Sequence, residues 1–211
     1  MKKLSFSVII FLACIAAQGQ KDPAAMKILS DFSKKASSAS SVSITFSLVN
    51  NDSKDGSTTT AEGSAVIKGD SYKLMLPDNN VWSDGKTTWS YLPDVNEVTI
   101  TVPDKNDKSF LSKPSLLFDI YREGYKVRLL EETKDTWIID LYPEDINQNL
   151  IHIRLKIGKS LYDLKSAEYK TKDGITVTLN TEKYDLTFRP GAGFFVFNPS
   201  SFKDVEIIDM R

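Results

Sequence analysis

The chain has 211 residues, of which 41% are hydrophobic and 26% charged, with 27 Lys and Arg against 28 Asp and Glu. This globular composition excludes collagen-like, coiled-coil and wholly disordered chains, and the near-neutral charge argues against nucleic acid as a partner, because phosphate binding requires a basic surplus. One cysteine and one histidine are too few for a disulfide framework or a Cys/His zinc site.

The first residues have the pattern of a secretory signal peptide. Lys2 and Lys3 precede an apolar run over residues 4–17, which ends in small residues typical of a cleavage site. The run is shorter than a membrane-spanning helix requires. We therefore predict that residues 1–19 are a signal peptide that is removed on export.

Export predicts a periplasmic location. The exported residues 20–211 are predicted to form a single domain. A second interpretation stays open, because Cys14 follows a small residue, as the acylated cysteine of a lipoprotein signal does. On that interpretation the chain is lipid-anchored at Cys14. A soluble product is the interpretation we prefer, because cleavage before Cys14 would leave an apolar start to the mature chain.

One helix is predicted near the start of the exported chain. Asp22 is a good N-cap, and Pro23 suits the first helical position. Apolar residues then recur at helical spacing, which predicts one buried face: Ala25, Ile28, Leu29, Phe32 and Ala36.

Beyond this helix the apolar period changes to two, which indicates strands. Val42, Ile44, Phe46 and Leu48 alternate with polar residues and predict a half-buried strand. Similar runs predict strands within 61–68, 72–76, 87–91, 98–102, 125–129, 137–141, 151–157, 164–171, 175–179 and 184–188. The polar residues 50–60, with Asp55-Gly56, predict a hairpin loop.

The strands are interrupted once, where residues 115–121 follow Pro114 and predict a short helix that ends at Gly124. The pattern is mainly β with helices (α+β), with about ten or eleven strands joined by short turns. It predicts an antiparallel barrel or strongly curved sheet whose apolar face is covered by helices.

Residues for catalysis are scarce. His152, the single histidine, lies at a polar position of an alternating strand and is predicted to be a solvated strand residue. No Gly-x-Ser-x-Gly elbow is present, so a Ser-His-Asp site is not supported. We therefore expect no enzyme activity, no metal site and no cofactor.

One segment resembles a known family. Residues 81–99 read VWSDGKTTWSYLPDVNEVT, which is similar to the outer-membrane lipoprotein carrier (LolA) family, with its Ser-Asp-Gly turn, Trp, aromatic residue, Pro and short strand at this spacing. Weaker matches are the first helix, the helix at 114–117 and the ending at 195–199. The resemblance covers nearly the whole exported chain.

This resemblance implies an unclosed antiparallel β-barrel with a helical lid, whose cavity takes the acyl chains of triacylated lipoproteins. The implied partners are acylated lipoproteins, an inner-membrane ABC-type exporter and an outer-membrane acceptor, and the implied state is a monomer. One departure is Lys68-Gly69-Asp70, where the family has Lys-Arg-Pro with an Arg that helps to close the lid. What latches the lid in this chain is left open.

Alternation along the strands predicts the acyl-chain lining, although each of these residues also suits an ordinary core. The predicted lining residues are Ile44, Phe46, Leu48, Tyr72, Leu74, Leu76, Trp89, Tyr91, Trp137 and Ile139. The predicted lid contacts are Leu29, Phe32, Leu117 and Ile120. Met75 and Trp82 have the opposite parity and are not assigned.

The leading hypothesis is a periplasmic carrier that shuttles lipoproteins from the inner to the outer membrane. The alternative is a lipid- or lipoprotein-sensing regulatory binding domain of the same fold. A third hypothesis, a periplasmic or surface-anchored hydrolase, would be favoured by a second histidine or a compact pair of acids in a cleft.

Overall fold

The computed structural model describes residues 21–104 and 113–211. The predicted signal peptide, residues 1–19, and the predicted alternative anchor Cys14 lie outside the described residues.

The described residues form one α-helix and twelve strands, in addition to short 3₁₀ helices. Their bounds are α1 Pro23–Ser38, β1 Val42–Asp52, β2 Thr58–Lys68, β3 Ser71–Met75, β4 Asn80–Ser83, β5 Thr88–Leu92, β6 Glu97–Thr101, β7 Tyr125–Glu132, β8 Thr136–Pro143, β9 His152–Gly158, β10 Leu164–Lys170, β11 Ile175–Asp185 and β12 Glu206–Asp209.

All twelve strands belong to one sheet, in the order β12-β6-β5-β4-β3-β2-β1-β11-β10-β9-β8-β7. Neighbours are antiparallel except β12, which runs parallel to β6. The end strands β12 and β7 are not paired with each other in the described residues, so the sheet is not closed. The predicted unclosed antiparallel barrel with a helical lid is confirmed.

The observed strands differ from the predicted ones at β4, which is an additional short strand, and at the C-terminal end. The run at 184–188 is not a separate strand, because β11 continues to Asp185. A further strand, β12, forms where the sequence suggests only a polar tail. All four of its residues are exposed. A strand that buries neither face needs no alternation of apolar and polar residues, so the sequence carries no signal for it.

The hairpin between β1 and β2 is longer than predicted. Its ladder pairs Asn50 with Thr59 and Asn51 with Thr58, so most of the predicted loop is strand. The turn is closed by the Asp52 N–H, which donates to the Ser57 carbonyl at 3.0 Å. Backbone pairing does not require apolar side chains, and this explains why a polar stretch continues the sheet.

Helix α1 begins as its N-cap predicts. One oxygen of Asp22 accepts from the Ala24 N–H at 2.9 Å, and the other accepts from the Leu129 N–H of β7 at 3.1 Å. The bond from Leu129, with those from Ala25 and Ala24, lowers the pKa of Asp22. The start of the helix is therefore tied to the sheet by a charge-assisted hydrogen bond.

The sheet face beneath α1, called the inner face, is apolar across most of its width. Directly paired residues share a face, and two rows of pairs cross the sheet on this side. One row is Val81, Leu74, Ala65, Ile44 and Tyr184. The other is Leu48, Leu179, Ala167, Leu155, Ile139 and Leu129.

The opposite side, called the outer face, carries a buried polar network in the second half of the sheet. The Arg154 guanidinium donates to both oxygens of Asp140, at 2.7 and 2.8 Å, and the Tyr142 hydroxyl donates to one of them at 2.8 Å. Burial opposes ionisation of Asp140, but the bonds from Arg154 and Tyr142 lower its pKa overall. These bonds stabilise the charged carboxylate in a buried position.

The predicted exposure of His152 is wrong. Only 8% of the residue is exposed, and its Nε2 lies 2.9 Å from a carboxylate oxygen of Glu168. Its ring packs edge-on against Tyr142, with centroids 6.2 Å apart. His152 does lie on the outer face, as its polar position predicts, but neighbouring side chains on that face cover its ring.

Candidate functional site

An apolar cavity lies between the inner face of the sheet and the lid. Its volume is about 60 Å³. The lining residues come from β1, β2, β3, β11 and the segment after residue 113, and they are Ile44, Phe46, Leu48, Ala65, Ile67, Leu74, Leu76, Pro114, Leu117 and Leu179. The cavity is therefore small and lined by apolar side chains.

Gly63 determines the position of the Phe46 ring in this cavity. The two residues are paired across β1 and β2. A Cβ at Gly63 would lie 2.7 Å from the Phe46 ring and 2.8 Å from a methyl group of Leu76. The missing side chain therefore leaves the space that both lining residues occupy. No local sequence signal marks this role, because Gly63 looks like any strand glycine.

Gly63→Ala is therefore expected to destabilise the protein by about 1–3 kcal/mol, the usual cost of overpacking. The ring of Phe46 has to move toward the cavity to make room. The measurement is the urea midpoint of unfolding. Gly191→Ala is the matched control, because its Cβ would meet no atom within 4 Å. Equal midpoints for the two variants would contradict the assigned packing.

Five of the ten predicted lining residues lie together in the cavity wall: Ile44, Phe46, Leu48, Leu74 and Leu76. Tyr72 is buried in the same core and borders a neighbouring polar cavity. Ile139 and Trp137 also belong to this core, but they lie at the far end of the sheet, where Trp137 packs against Tyr162 with ring centroids 5.3 Å apart.

The placement of Trp89 and Tyr91 corrects the sequence prediction. Trp89 pairs with Trp82, whose other partner is Lys73 on the outer face. Both residues pack in a second cluster with Trp82, Val98 and Phe197, and Met75, Phe202 and Val205 complete it. Alternation predicts that Trp89 and Tyr91 share a face, but it does not say which face. The same register shows why Met75 and Trp82 have the opposite parity to the lining residues of their strands: both lie on the outer face.

Sequence analysis missed four wall residues, namely Ala65, Ile67, Leu179 and Pro114. The signal for two of them was present, because Ala65 pairs with Ile44 and Leu179 pairs with Leu48. Finding these pairs requires the strand register, which the hairpin turn sets for Ala65 and the long-range pairing of β1 with β11 sets for Leu179.

The lid consists of α1 and of residues 114–122, which we call the lid segment. The predicted single helix is instead two 3₁₀ helices, Pro114–Phe118 and Ile120–Arg122. Lys113 makes no side-chain cap bond, and Gly124 ends the segment at a φ of 78°. So short a stretch without a cap is too small for a stable α-helix.

All four predicted lid contacts are buried: Leu29, Phe32, Leu117 and Ile120. Leu117 alone among them lines the cavity, whereas Leu29 and Phe32 face the core from α1. Phe118, which sequence analysis did not assign, packs its ring 5.3 Å from that of Phe32. This contact joins the two parts of the lid.

Polar contacts also hold the lid. Ser33 of α1 donates its hydroxyl to Asp119 of the lid segment at 3.1 Å. Lys113 lies 3.7 Å from Asp70 in the turn between β2 and β3. This ion pair therefore involves the segment Lys68-Gly69-Asp70, where the sequence departs from the family pattern. The Asp70 side chain is 79% exposed, so the pair contributes little stability.

A second cavity of about 270 Å³ borders the first on the side of β4 to β6. It is more polar, because the inner face changes there from aliphatic residues to hydroxyl residues such as Ser83, Thr88 and Thr101. Tyr72 and Lys113 also line it. The inner face thus changes from apolar to polar along the sheet.

Among residues 21–104 and 113–211 we find no group of three or more His, Cys, Asp or Glu placed to hold a metal ion. Within the same residues no helix has both the length and the hydrophobicity that a membrane span requires.

An open antiparallel sheet with an apolar cavity under a helical lid defines a class of binding proteins for lipid-like ligands. The comparisons identify the family. The model of the outer membrane lipoprotein carrier protein LolA family matches residues 15–175. This chain belongs to that family. No curated protein matched the chain.

Solved structures share the fold at low identity. An uncharacterised conserved protein from Thermus thermophilus matches with a TM-score of 0.59 and 12% identity, over 88% of this chain and 99% of that one. A putative outer membrane lipoprotein-sorting protein domain from Vibrio parahaemolyticus matches with a TM-score of 0.46 and 13% identity, over 82% and 96%. The likeness to the Thermus protein supports the fold.

Proposed function

We propose that the protein is a periplasmic carrier that binds the acyl chains of lipoproteins in its apolar cavity and moves them from the inner to the outer membrane. The observation that carries this proposal is the aliphatic cavity beneath the lid, in a chain whose family is described as a lipoprotein carrier. Its wall in the proposal consists of the cavity residues named above, with Leu117 as the lid contact.

The cavity is small for the proposed cargo. A space of about 60 Å³ does not hold a long acyl chain, so cargo has to displace Leu117 and its neighbours. Binding is therefore coupled to lid opening, which lowers the net affinity. This suits a carrier, because burying three long chains at about 0.8 kcal/mol per methylene would contribute roughly 30 kcal/mol, beyond the observed range of noncovalent affinities.

The remaining parts of the proposal concern location and partners. The proposed signal peptide over residues 1–19 supports export to the periplasm. An inner-membrane ABC-type exporter would deliver the cargo and an outer-membrane acceptor would receive it, as the resemblance described above implies. The intact mass of the exported protein tests the proposed location. A mass that shows diacylglyceryl modification at Cys14 would indicate a lipid-anchored protein instead of a soluble one.

Capture and transfer of a triacylated cysteinyl peptide test the carrier function. The protein is expected to form a one-to-one soluble complex with this peptide in size-exclusion chromatography and to release it to lipid vesicles. The same peptide without acyl chains is the control and is expected not to bind. Capture without transfer would favour the sensing alternative, and no capture would refute both.

A further inference from the structure

Two hydroxyl groups on the inner face of β11 have no hydrogen-bond partner. The Thr181 Oγ1 and the Tyr184 hydroxyl oxygen are both buried and unpartnered within the part of the chain that the structure describes. Almost all buried polar groups in proteins are paired, so an unpaired one calls for an explanation. Phe and Val would fill the same positions without that cost.

A bulge places Thr181 and Tyr184 on the inner face, opposite residues of the cavity wall. Phe46 pairs with Thr181, Thr45 pairs with Lys183, and Ile44 pairs with Tyr184. Glu182 is the extra residue, and without this bulge two residues three apart on a strand would face opposite sides. Thr181 and Tyr184 instead lie opposite Phe46 and Ile44, which both line the cavity.

The residues beside Thr181 are apolar, whereas the Tyr184 hydroxyl also lies near the carboxylate of Asp163, whose Oδ1 is likewise buried and unpartnered among the described residues. Leu179, two residues before Thr181 on the same face, lines the cavity, and Tyr184 packs against the main core. Burial and the negative charge of Asp163 raise the pKa of Tyr184, so its hydroxyl keeps its proton and can donate. The two groups are therefore hydrogen-bond donors at the border of an apolar site.

We propose that Thr181 and Tyr184 anchor the ester or amide carbonyl of an acylated ligand, and this inference rests on the proposed function. The carbonyl is the polar group at the head of an acyl chain, and it accepts hydrogen bonds but cannot donate them. Aliphatic walls hold the chain without fixing its depth, whereas a donor at a fixed position selects the depth at which the carbonyl stops. The ligand class is acyl lipids rather than alkyl ethers.

Two glycerolipids that differ only in this carbonyl test the proposal. Dioctanoylglycerol has ester carbonyls, and dioctylglycerol has the same chain length with ether links. Below their aggregation concentrations, the wild type is expected to bind the ester about threefold to tenfold more tightly, as one or two neutral hydrogen bonds predict. In Tyr184→Phe and in Thr181→Val this preference is expected to fall toward one, with ether binding unchanged.

Stability and a matched variant separate an anchor from a structural role. Tyr184→Phe is expected to keep or raise Tm, because it removes an unpaired buried hydroxyl. Tyr91→Phe makes the same change on the outer face, where the hydroxyl donates to Asn96, and is expected to keep the ester preference. An unchanged preference in both inner-face variants would overturn the anchor, and so would equal binding of the two lipids by the wild type. If the wild type captures the triacylated peptide but binds neither lipid, the anchor fails and the proposed function stands.

Discussion

Replacing Phe46 with glutamate is expected to abolish capture of the triacylated peptide. Phe46 is 3% exposed, lines the cavity and packs over Gly63. A carboxylate at this position would be desolvated beside the acyl chains, and burying an unpaired charge in apolar surroundings is very costly. The side chain would therefore turn to water or take a proton, and either change disrupts the wall.

The same substitution is expected to lower stability. Removing a buried phenylalanine costs about 3–5 kcal/mol even when the replacement is alanine. Binding must therefore be measured per folded molecule, with the folded fraction taken from circular dichroism at the binding temperature. A low temperature and a stabilising osmolyte keep enough folded protein for the comparison.

Phe202→Glu is the matched control. Phe202 lies in the outer cluster, with its ring 4.6 Å from Tyr91 and 4.8 Å from Phe197. This variant is also expected to lose stability, but its folded fraction is expected to capture the peptide normally. Wild-type capture by folded Phe46→Glu would refute the proposed lining, and loss of capture in both variants would show that capture depends on stability alone.

The strands could be predicted because apolar residues on one side of a sheet recur with a period of two. The sequence around Ile44, Phe46 and Leu48 shows this period clearly, and all three residues line the cavity. Trp89 and Tyr91 have the same period but lie in the outer cluster. A period defines faces within one strand, whereas the side that each face occupies depends on pairing with the neighbouring strands.

Features that depend on distant contacts could not be read from the sequence. Three such features are the bulge at Glu182, the space above Gly63 and the pairing of β12 with β6. Each depends on residues that are far apart in the sequence or that carry no local signal. The lid segment shows the opposite case. Its position was predicted from Pro114 and Gly124, but its 3₁₀ form depends on its short length and its missing cap.

The segment that carries the family resemblance does not build the cavity. Residues 81–99 include Trp82, Trp89 and Tyr91, which pack on the outer face beneath Phe197 and Phe202. These aromatic contacts fix the C-terminal part of the chain against β4 to β6. The resemblance therefore marks how the sheet is stabilised, whereas the lining residues lie on other strands and on the lid segment.

The lid is expected to be held by apolar packing rather than by the ion pair at Asp70. Leu117 is 4% exposed and closes the cavity, and truncating such a leucine costs about 2–5 kcal/mol. Lys113 and Asp70 are 3.7 Å apart, with most of Asp70 in solvent, and exposed pairs of this kind contribute little. The apolar contacts of Leu117 then take the place of the Arg that the resemblance leads us to expect. They do not involve Lys68-Gly69-Asp70, where that Arg is absent.

Leu117→Ala is accordingly expected to tighten binding of a fluorescent acyl probe at least about tenfold, because the probe no longer has to displace the leucine and about 1.4 kcal/mol corresponds to a factor of ten. Asp70→Asn removes the charge with little change in size, and it is expected to change the affinity less than about threefold. Titration of the probe into each variant measures both affinities, at two salt concentrations. If Asp70→Asn tightens binding as much as Leu117→Ala does, and high salt has the same effect on the wild type, the ion pair is the latch and the apolar contacts are not.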